Sequence, residues 1–236
     1  MNMSMKKQNY VTAIILAAGM GSRMELSFTK QQLVICGESV LHRSLRAFDE
    51  SGLINAIVVV CRREERDFVL SEARDTKKVI SIVEGGNTRA ESAKLGFMNI
   101  PAASDYVAIH DAARCLVTPQ MIDSVVRAAF VYGAATAARK ISDSIKRSDG
   151  DGFVLESVPR ENLYAAQTPQ IFRTVDYALG LEKCSLDEKI TDDNMIIEST
   201  GRRIFCVECG AENIKITTPS DACYAEFLIQ RRTNDE

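Results

Sequence analysis

Residues Val11 to Gln31, VTAIILAAGMGSRMELSFTKQ, carry the strongest local signal in this chain. They begin with a short apolar run, Ala13-Ile14-Ile15-Leu16. Its length and its aliphatic, partly β-branched side chains fit a buried strand better than a helix. Ala17 to Met24 then makes a turn with little side-chain bulk before Arg23, so its backbone N–H groups can approach a polyanion closely. Arg23 and Lys30 add two cations beside that cradle. A strand, a small-residue loop and two cations in this order point to a triphosphate site. The competing reading is an ordinary strand–loop turn with surface charges. Two familiar glycine motifs are excluded: the dinucleotide fingerprint needs a third glycine where Met24 stands, and the P-loop needs a Gly-Lys-Ser/Thr ending that is absent.

Outward from this stretch, strand and helix patterns alternate. Ser39 can cap a helix whose Leu41, Leu45 and Phe48 share one face. Ala56–Val60 reads as a buried strand, 63–75 as an amphipathic helix and Val79–Val83 as the next strand. A helix from about Asn87 to Met98, a strand Tyr106–Ile109 and a helix opening at Thr118-Pro119 follow. Continuous apolar strands between helices imply a mostly parallel sheet covered on both faces, with ligands bound beyond the carboxyl ends of its strands. The rhythm breaks at 141–160, where Ile141–Arg147 and Phe153–Val158 flank Asp149-Gly150-Asp151-Gly152, a turn signal for a β-hairpin. That hairpin is either a protruding arm that pairs with a second subunit or a simple edge hairpin. A last helix starts at Thr218-Pro219-Ser220-Asp221. One domain over 1–236 is expected, without internal repeats.

Composition narrows the class. The chain has 236 residues, 46% of them hydrophobic, enough for one large α/β domain. A net charge of −3 excludes a global basic field for nucleic acid, so phosphate-binding cations must be gathered locally. The N-terminal MNMSMKKQNY lacks an apolar core for secretion, and no run is long enough to span a membrane. Seven scattered cysteines without framework spacing fit a reducing cytoplasm. Cys206-Val207-Glu208-Cys209 has no second pair and lies in a strand-like run whose cysteines face opposite ways, so a structural role outweighs a metal or redox one.

Further stretches fall at strand ends. In Glu84-Gly85-Gly86-Asn87-Thr88-Arg89-Ala90-Glu91-Ser92 the glycines bare backbone that can read a base edge, and Thr88 and Glu91 are spaced as a capping box. In His110-Asp111-Ala112-Ala113-Arg114 the aspartate can bind a hydroxyl or a cation and Arg114 a phosphate, while His110 reads as structural. Glu212–Thr217 reads as a short strand with Lys215 among apolar neighbours. A lysine so placed pairs with something negative or snorkels to the surface.

Taken in order, LAAGMGSRM, TKQ, EGGNTRAES, HDAAR, Asp143-Ser144-Ile145-Lys146, TPQIF, ITDD and NIKIT resemble the 4-diphosphocytidyl-2-C-methylerythritol synthase family of cytidylyltransferases, over about Ala13 to Leu228. The resemblance implies a Rossmann-like, glycosyltransferase-A-like nucleotidyltransferase domain. It also implies a reaction of CTP with 2-C-methyl-D-erythritol 4-phosphate, giving the CDP-alcohol and pyrophosphate on the non-mevalonate route to isoprenoids. By resemblance, Arg23, Lys30 and Lys215 are catalytic cations. Ala17, Ala18, Gly19, Gly86, Asn87, Ser92 and Ala112 hold cytidine. Asp111, with Arg160 and Thr191 from a partner subunit, holds the methylerythritol phosphate, and Ser144, Thr168 and Arg114 belong to that pocket. Magnesium is expected to be held mainly by the CTP phosphates. The family's interlocked homodimer would account for the arm.

The chain departs from the family pattern at Thr29 and Cys115, where proline is usual, at Ser144 for threonine, and at Asp193-Asn194-Met195. None of these deletes a proposed catalytic group. The rival substrate, D-ribitol 5-phosphate, goes with a Gly-Gly first loop and a Ser-Val in the HD-x-x-R motif; Ala17-Ala18-Gly19 and Ala112-Ala113 favour methylerythritol. A non-catalytic nucleotide-binding regulator is expected to lack one of the three cations, and all three are present.

Overall fold

The computed structural model describes residues 9–19, 29–185 and 190–235. Its strands, in chain order, are β1 (Val11–Leu16), β2 (Val34–Ile35), β3 (Glu38–Ser39), β4 (Ala56–Cys61), β5 (Val79–Glu84), β6 (Tyr106–Asp111), β7 (Ala134–Lys140), β8 (Ile145–Ser148), β9 (Val154–Val158), β10 (Tyr164–Arg173) and β11 (Phe205–Glu208). Seven of them form one sheet in the order β11-β7-β10-β6-β1-β4-β5. β10 runs antiparallel to both its neighbours, and every other pairing in this sheet is parallel. The fold is therefore α/β with a mostly parallel sheet, as the alternation of the sequence predicts.

The apolar runs decide which strands sit centrally. Every residue of β1, β4 and β6 is buried, because helices cover both faces there. The helices are α1 (Val40–Glu50), α2 (Arg66–Glu72), α3 (Arg89–Phe97), α4 (Pro119–Tyr132), α5 (Thr174–Lys183), α6 (Asn194–Glu198) and α7 (Pro219–Asp235). Successive β1 side chains alternate between two cores. Val11, Ala13 and Ile15 join Leu41, Leu45 and Phe48 of α1 and Ile122, Val125 and Val126 of α4. Ile14 and Leu16 join Ala93 of α3, Phe172 of β10 and Tyr177 of α5.

Local signals account for the helix starts. Ser39 Oγ accepts from His42 N–H, Thr88 and Glu91 form a reciprocal capping box, and Thr118 caps α4 with Pro119 in its first turn. Asp221 Oδ2 accepts from the N–H groups of Thr217 and Thr218 at the start of α7. Where α3 crosses the sheet, a Cβ on Gly96 would lie 2.6 Å from Ile14 Cγ2 and 2.8 Å from Val60 Cγ2. Gly96→Ala is therefore expected to destabilise the fold by about 1–3 kcal/mol, measured by denaturant unfolding; an unchanged midpoint would contradict so close an approach.

The hairpin between β8 and β9 forms its own two-stranded sheet. Asp149 Oδ1 accepts from the N–H groups of Asp151 and Phe153, and Gly152 supplies the positive φ of the turn. Phe153, Val154 and Leu155 stand exposed on it.

Three expectations change. The predicted helix over 63–75 is a 3-10 turn at Arg63–Glu65 followed by α2. The segment 213–217 is not a strand; it joins no sheet and is attached through the Ile216 N–H to the Ala113 carbonyl at 2.8 Å. β10, which sequence reasoning did not assign, occupies the middle of the sheet. Among the described residues no helix is long and apolar enough to cross a membrane.

Candidate active site

A cavity of about 250 Å³ opens at the carboxyl ends of β1 and β6 and against the first turn of α3, where ligands bind in such sheets. Ala18, Gly19, Lys30, Gly86, Asn87, Ser92, Asp111 and Lys215, all singled out from the sequence, line it. Gln31, Thr88, Arg89 and Ala113, to which the sequence assigns no ligand role, also line it.

The loop into α3 is closely fitted. Ser92 Oγ accepts from the Gly86 N–H at 3.1 Å, and Glu91 Oε2 accepts from the Asn87 N–H at 2.7 Å. A Cβ on Gly85 would meet Ala18 Cβ at 2.8 Å and Ser92 Oγ at 2.9 Å. Only glycine lets the two loops approach this closely.

Charge is concentrated on one carboxylate. Asp111 Oδ1 accepts from Arg89 Nε at 2.9 Å and its Oδ2 from Lys215 Nζ at 2.7 Å. Arg89 Nη1 also donates to Asp193 Oδ2 at 2.6 Å. Burial would raise the Asp111 carboxyl, yet Arg89 and Lys215 together pull it well below the usual carboxylate range. Burial likewise opposes the charge on Arg89, but Asp193 and Asp111 outweigh it and hold the guanidinium more firmly protonated. A cation at the first position of a helix opposes the macrodipole, and that misplaced charge is the sequence signal that could have pointed to Arg89.

Behind the cavity, Thr168 Oγ1 accepts from the Asp111 N–H at 3.1 Å and lies 3.0 Å from His110 Nδ1. Burial pushes the His110 imidazole down to about 3, so it is neutral and structural, as expected. Arg114 is not among the residues that line the cavity. Its Nη1 donates to the Asn213 carbonyl at 2.8 Å, and Asn213 Nδ2 donates to the Thr168 carbonyl at 2.9 Å. These bonds fix the segment that carries Lys215.

The other sequence candidates lie elsewhere. Ala17 and Ala112 are buried outside the lining, with their N–H groups donating to the Val60 and Leu16 carbonyls. Ser144, Arg160 and Thr191 are exposed and do not line the cavity; Arg160 Nη1 donates to the Ser142 carbonyl. Arg23 lies outside the described residues. Burial pushes the Cys115 thiol up to about 11, which makes it unreactive as a thiolate near neutral pH. Cys206 is exposed and Cys209 buried, and no group of three or more His, Cys, Asp or Glu suited to a metal occurs among the described residues.

A family model described as IspD, 2-C-methyl-D-erythritol 4-phosphate cytidylyltransferase, matches residues 11–231. The chain belongs to this cytidylyltransferase family. Two relatives of that name are similar along nearly their whole length. The one from Pelotomaculum thermopropionicum is 40% identical over 227 residues, 94% of this chain and 95% of its own. The one from Caldanaerobacter subterraneus subsp. tengcongensis is 37% identical, covering 94% and 99%. Among solved structures, the 4-diphosphocytidyl-2C-methyl-D-erythritol synthase of Anaerococcus prevotii superposes with a TM-score of 0.84 at 28% identity, covering 94% of this chain and 97% of its own. Members of the cytidylyltransferase family are nucleotidyltransferases, and the cavity described above is the candidate site for that chemistry.

Proposed function

We propose that this chain transfers a cytidylyl group from CTP to 2-C-methyl-D-erythritol 4-phosphate, releasing pyrophosphate, in non-mevalonate isoprenoid biosynthesis. The observation that carries the reading is one cavity that gathers Lys30, Asp111 and Lys215 with the small-residue loops at Gly19 and Gly86, within a chain matched to the family over 11–231.

A phosphate oxygen of the methylerythritol phosphate attacks the α-phosphorus of CTP. The bond to the bridging oxygen breaks, and pyrophosphate leaves with that electron pair. The nucleophile is already ionised at neutral pH, so no general base is required; positioning and neutralisation of phosphate charge do the catalysis. Lys30 and Lys215 supply that neutralisation, and Arg23 joins them by family resemblance. Ala18, Gly19, Gly86, Asn87 and Ser92 hold the nucleoside, with Ala17 and Ala112 behind them. Asp111 accepts a polyol hydroxyl, with Thr168 setting its backbone and Arg114 anchoring the Lys215 segment.

Both oxygens of Asp111 are already taken by cations, so among the described residues the donors around the cavity do not suit a resident magnesium cage. Magnesium fits instead as part of the substrate, carried on the triphosphate with ligands from phosphate and water. The exposed apolar residues of the arm, and the exposure of Ser144, Arg160 and Thr191, support a homodimer in which these three complete a partner's polyol-phosphate pocket. An isolated two-stranded hairpin is only marginally stable without such cover.

The test is pyrophosphate release with CTP and magnesium, offering methylerythritol 4-phosphate and ribitol 5-phosphate in parallel, with Lys30→Ala as control. Turnover of the first alone, lost in the variant, is the expected result. Turnover of ribitol phosphate would keep the chemistry and replace the substrate, and no release with either would end the reading.

A further inference from the structure

Arg89 is tied at both ends. One nitrogen holds Asp111, which faces the cavity, and another holds Asp193, which is fully buried. Asp193 is itself fixed on every side. Its Oδ1 accepts from the Tyr177 hydroxyl at 2.7 Å, and its N–H donates to Gln170 Oε1 at 2.9 Å. The same Gln170 amide donates through Nε2 to Asp192 Oδ2 at 2.9 Å. Two adjacent aspartates thus lock the backbone that carries Thr191, and one of them is locked by the guanidinium that also aims Asp111.

A guanidinium suits this task in a way an ammonium does not. Its nitrogens project in fixed directions from one plane, so two carboxylates can be bridged at a set separation. By taking Asp111 Oδ1, Arg89 also decides that Oδ2 is the oxygen left to Lys215 and to an incoming hydroxyl. The side chain is 23% exposed, open enough to line the cavity and covered enough to be held.

We propose that Arg89 is a positioning residue for polyol-phosphate binding in both halves of the proposed homodimer, orienting Asp111 of its own site directly and, through Asp193, the Thr191 segment that completes the partner's site. The inference rests on the functional reading above, in which Asp111 and Thr191 are polyol-phosphate ligands. It makes Arg89 more than a counter-ion for buried charge. A counter-ion role is satisfied by any cation of similar reach, whereas a bridging role requires the fork.

The experiment compares steady-state kinetics of the wild type, Arg89→Lys, Asp193→Asn and the double variant Arg89→Gln with Asp193→Asn, varying each substrate in turn. CTP binding by calorimetry reports the fold independently of turnover. The double variant is included because Arg89→Gln alone strands a buried charge and risks unfolding. Arg89→Lys and the double variant are expected to raise KM for methylerythritol 4-phosphate on the order of 10–100-fold, the scale of a misplaced ligand. CTP affinity is expected to hold in both. Asp193→Asn, which keeps the contact to Asp111, is expected to give a smaller rise of the same kind. Wild-type KM for the polyol phosphate in Arg89→Lys would overturn the proposal, as would a loss of CTP affinity equal to the loss for the polyol phosphate. Wild-type protein that does not turn over methylerythritol phosphate would overturn the functional reading and this inference together. Wild-type turnover with unaltered variants would overturn the inference alone.

Discussion

Lys215→Ala is expected to slow pyrophosphate release on the order of 10²–10³-fold while leaving the chain folded, the scale on which one preorganised charge acts in a transition state. The ammonium reaches the cavity from the 213–217 segment, which is bound to the rest of the fold by the Ile216 N–H and by the carbonyl and side-chain amide of Asn213 rather than by the lysine itself. Removing the side chain leaves Asp111 still paired with Arg89, so no buried charge is stranded. The Lys215 side chain is also 38% exposed, and an ion pair so placed adds at most about 1 kcal/mol to stability. The loss therefore belongs in kcat, because the charge it meets grows as the bond to pyrophosphate breaks. Lys215→Arg keeps the charge with a different reach and should recover part of the rate. A continuous pyrophosphate assay beside thermal unfolding separates the two effects. A kcat equal to wild type in Lys215→Ala would remove this lysine from the reaction.

The second large effect is on stability. His110 is buried with its imidazole pushed down to about 3, against an ordinary value of about 6.5. Above pH 6.5 the ring is neutral in both folded and unfolded chains and contributes no pH dependence. As pH falls below 6.5 the unfolded chain takes up a proton that the folded chain refuses, so stability declines with falling pH down to about 3. The window spans about 3.5 pH units, and at about 1.4 kcal/mol per unit the loss approaches 5 kcal/mol. Asp111 and Glu212 add loss in the same direction, but in the carboxylate range, so the interval from pH 6.5 to about 5 reports mainly the histidine. Urea unfolding at stepped pH measures the slope, and His110→Gln, which cannot titrate, should flatten it. A flat wild-type profile between pH 7 and 5 would mean that the ring reaches solvent when protonated.

What could be read from the sequence was whatever has a local cause. β1, β4 and β6 announce themselves as unbroken apolar runs because both their faces are covered. The caps at Ser39, Thr88 and Thr118 are contacts across three residues and are therefore written in spacing. The glycine loops and the two lysines of the cavity were legible for a similar reason, since close backbone approach and charge belong to residue types.

What escaped has a non-local cause. The Arg89–Asp193 bridge joins residues 104 positions apart, and nothing near either one records the other. β10 reads poorly as a central strand because its polar Gln167-Thr168-Pro169-Gln170 includes a proline and coincides with a register shift against β7 between Ala166 and Gln170. The 213–217 segment alternates like a strand but finds no ladder; its bonds go to Ala113, Thr168 and Arg114 instead. Its alternation reflects a segment half-covered by neighbours.

The contact between Lys215 and Asp111 spans 104 residues, and this has a consequence for the order in which a working protein comes into being. During synthesis β1, β4, β5 and β6 emerge before the cavity has its last cation, and Arg89 and Asp111 can already pair. A chain halted before residue 213 would contain the glycine loops and the acidic centre without Lys215. On the proposed role of Lys215, catalytic competence would arrive late in translation, when the segment bearing that lysine docks against Ala113. A ribosome-bound chain should bind nucleotide well before it can turn it over.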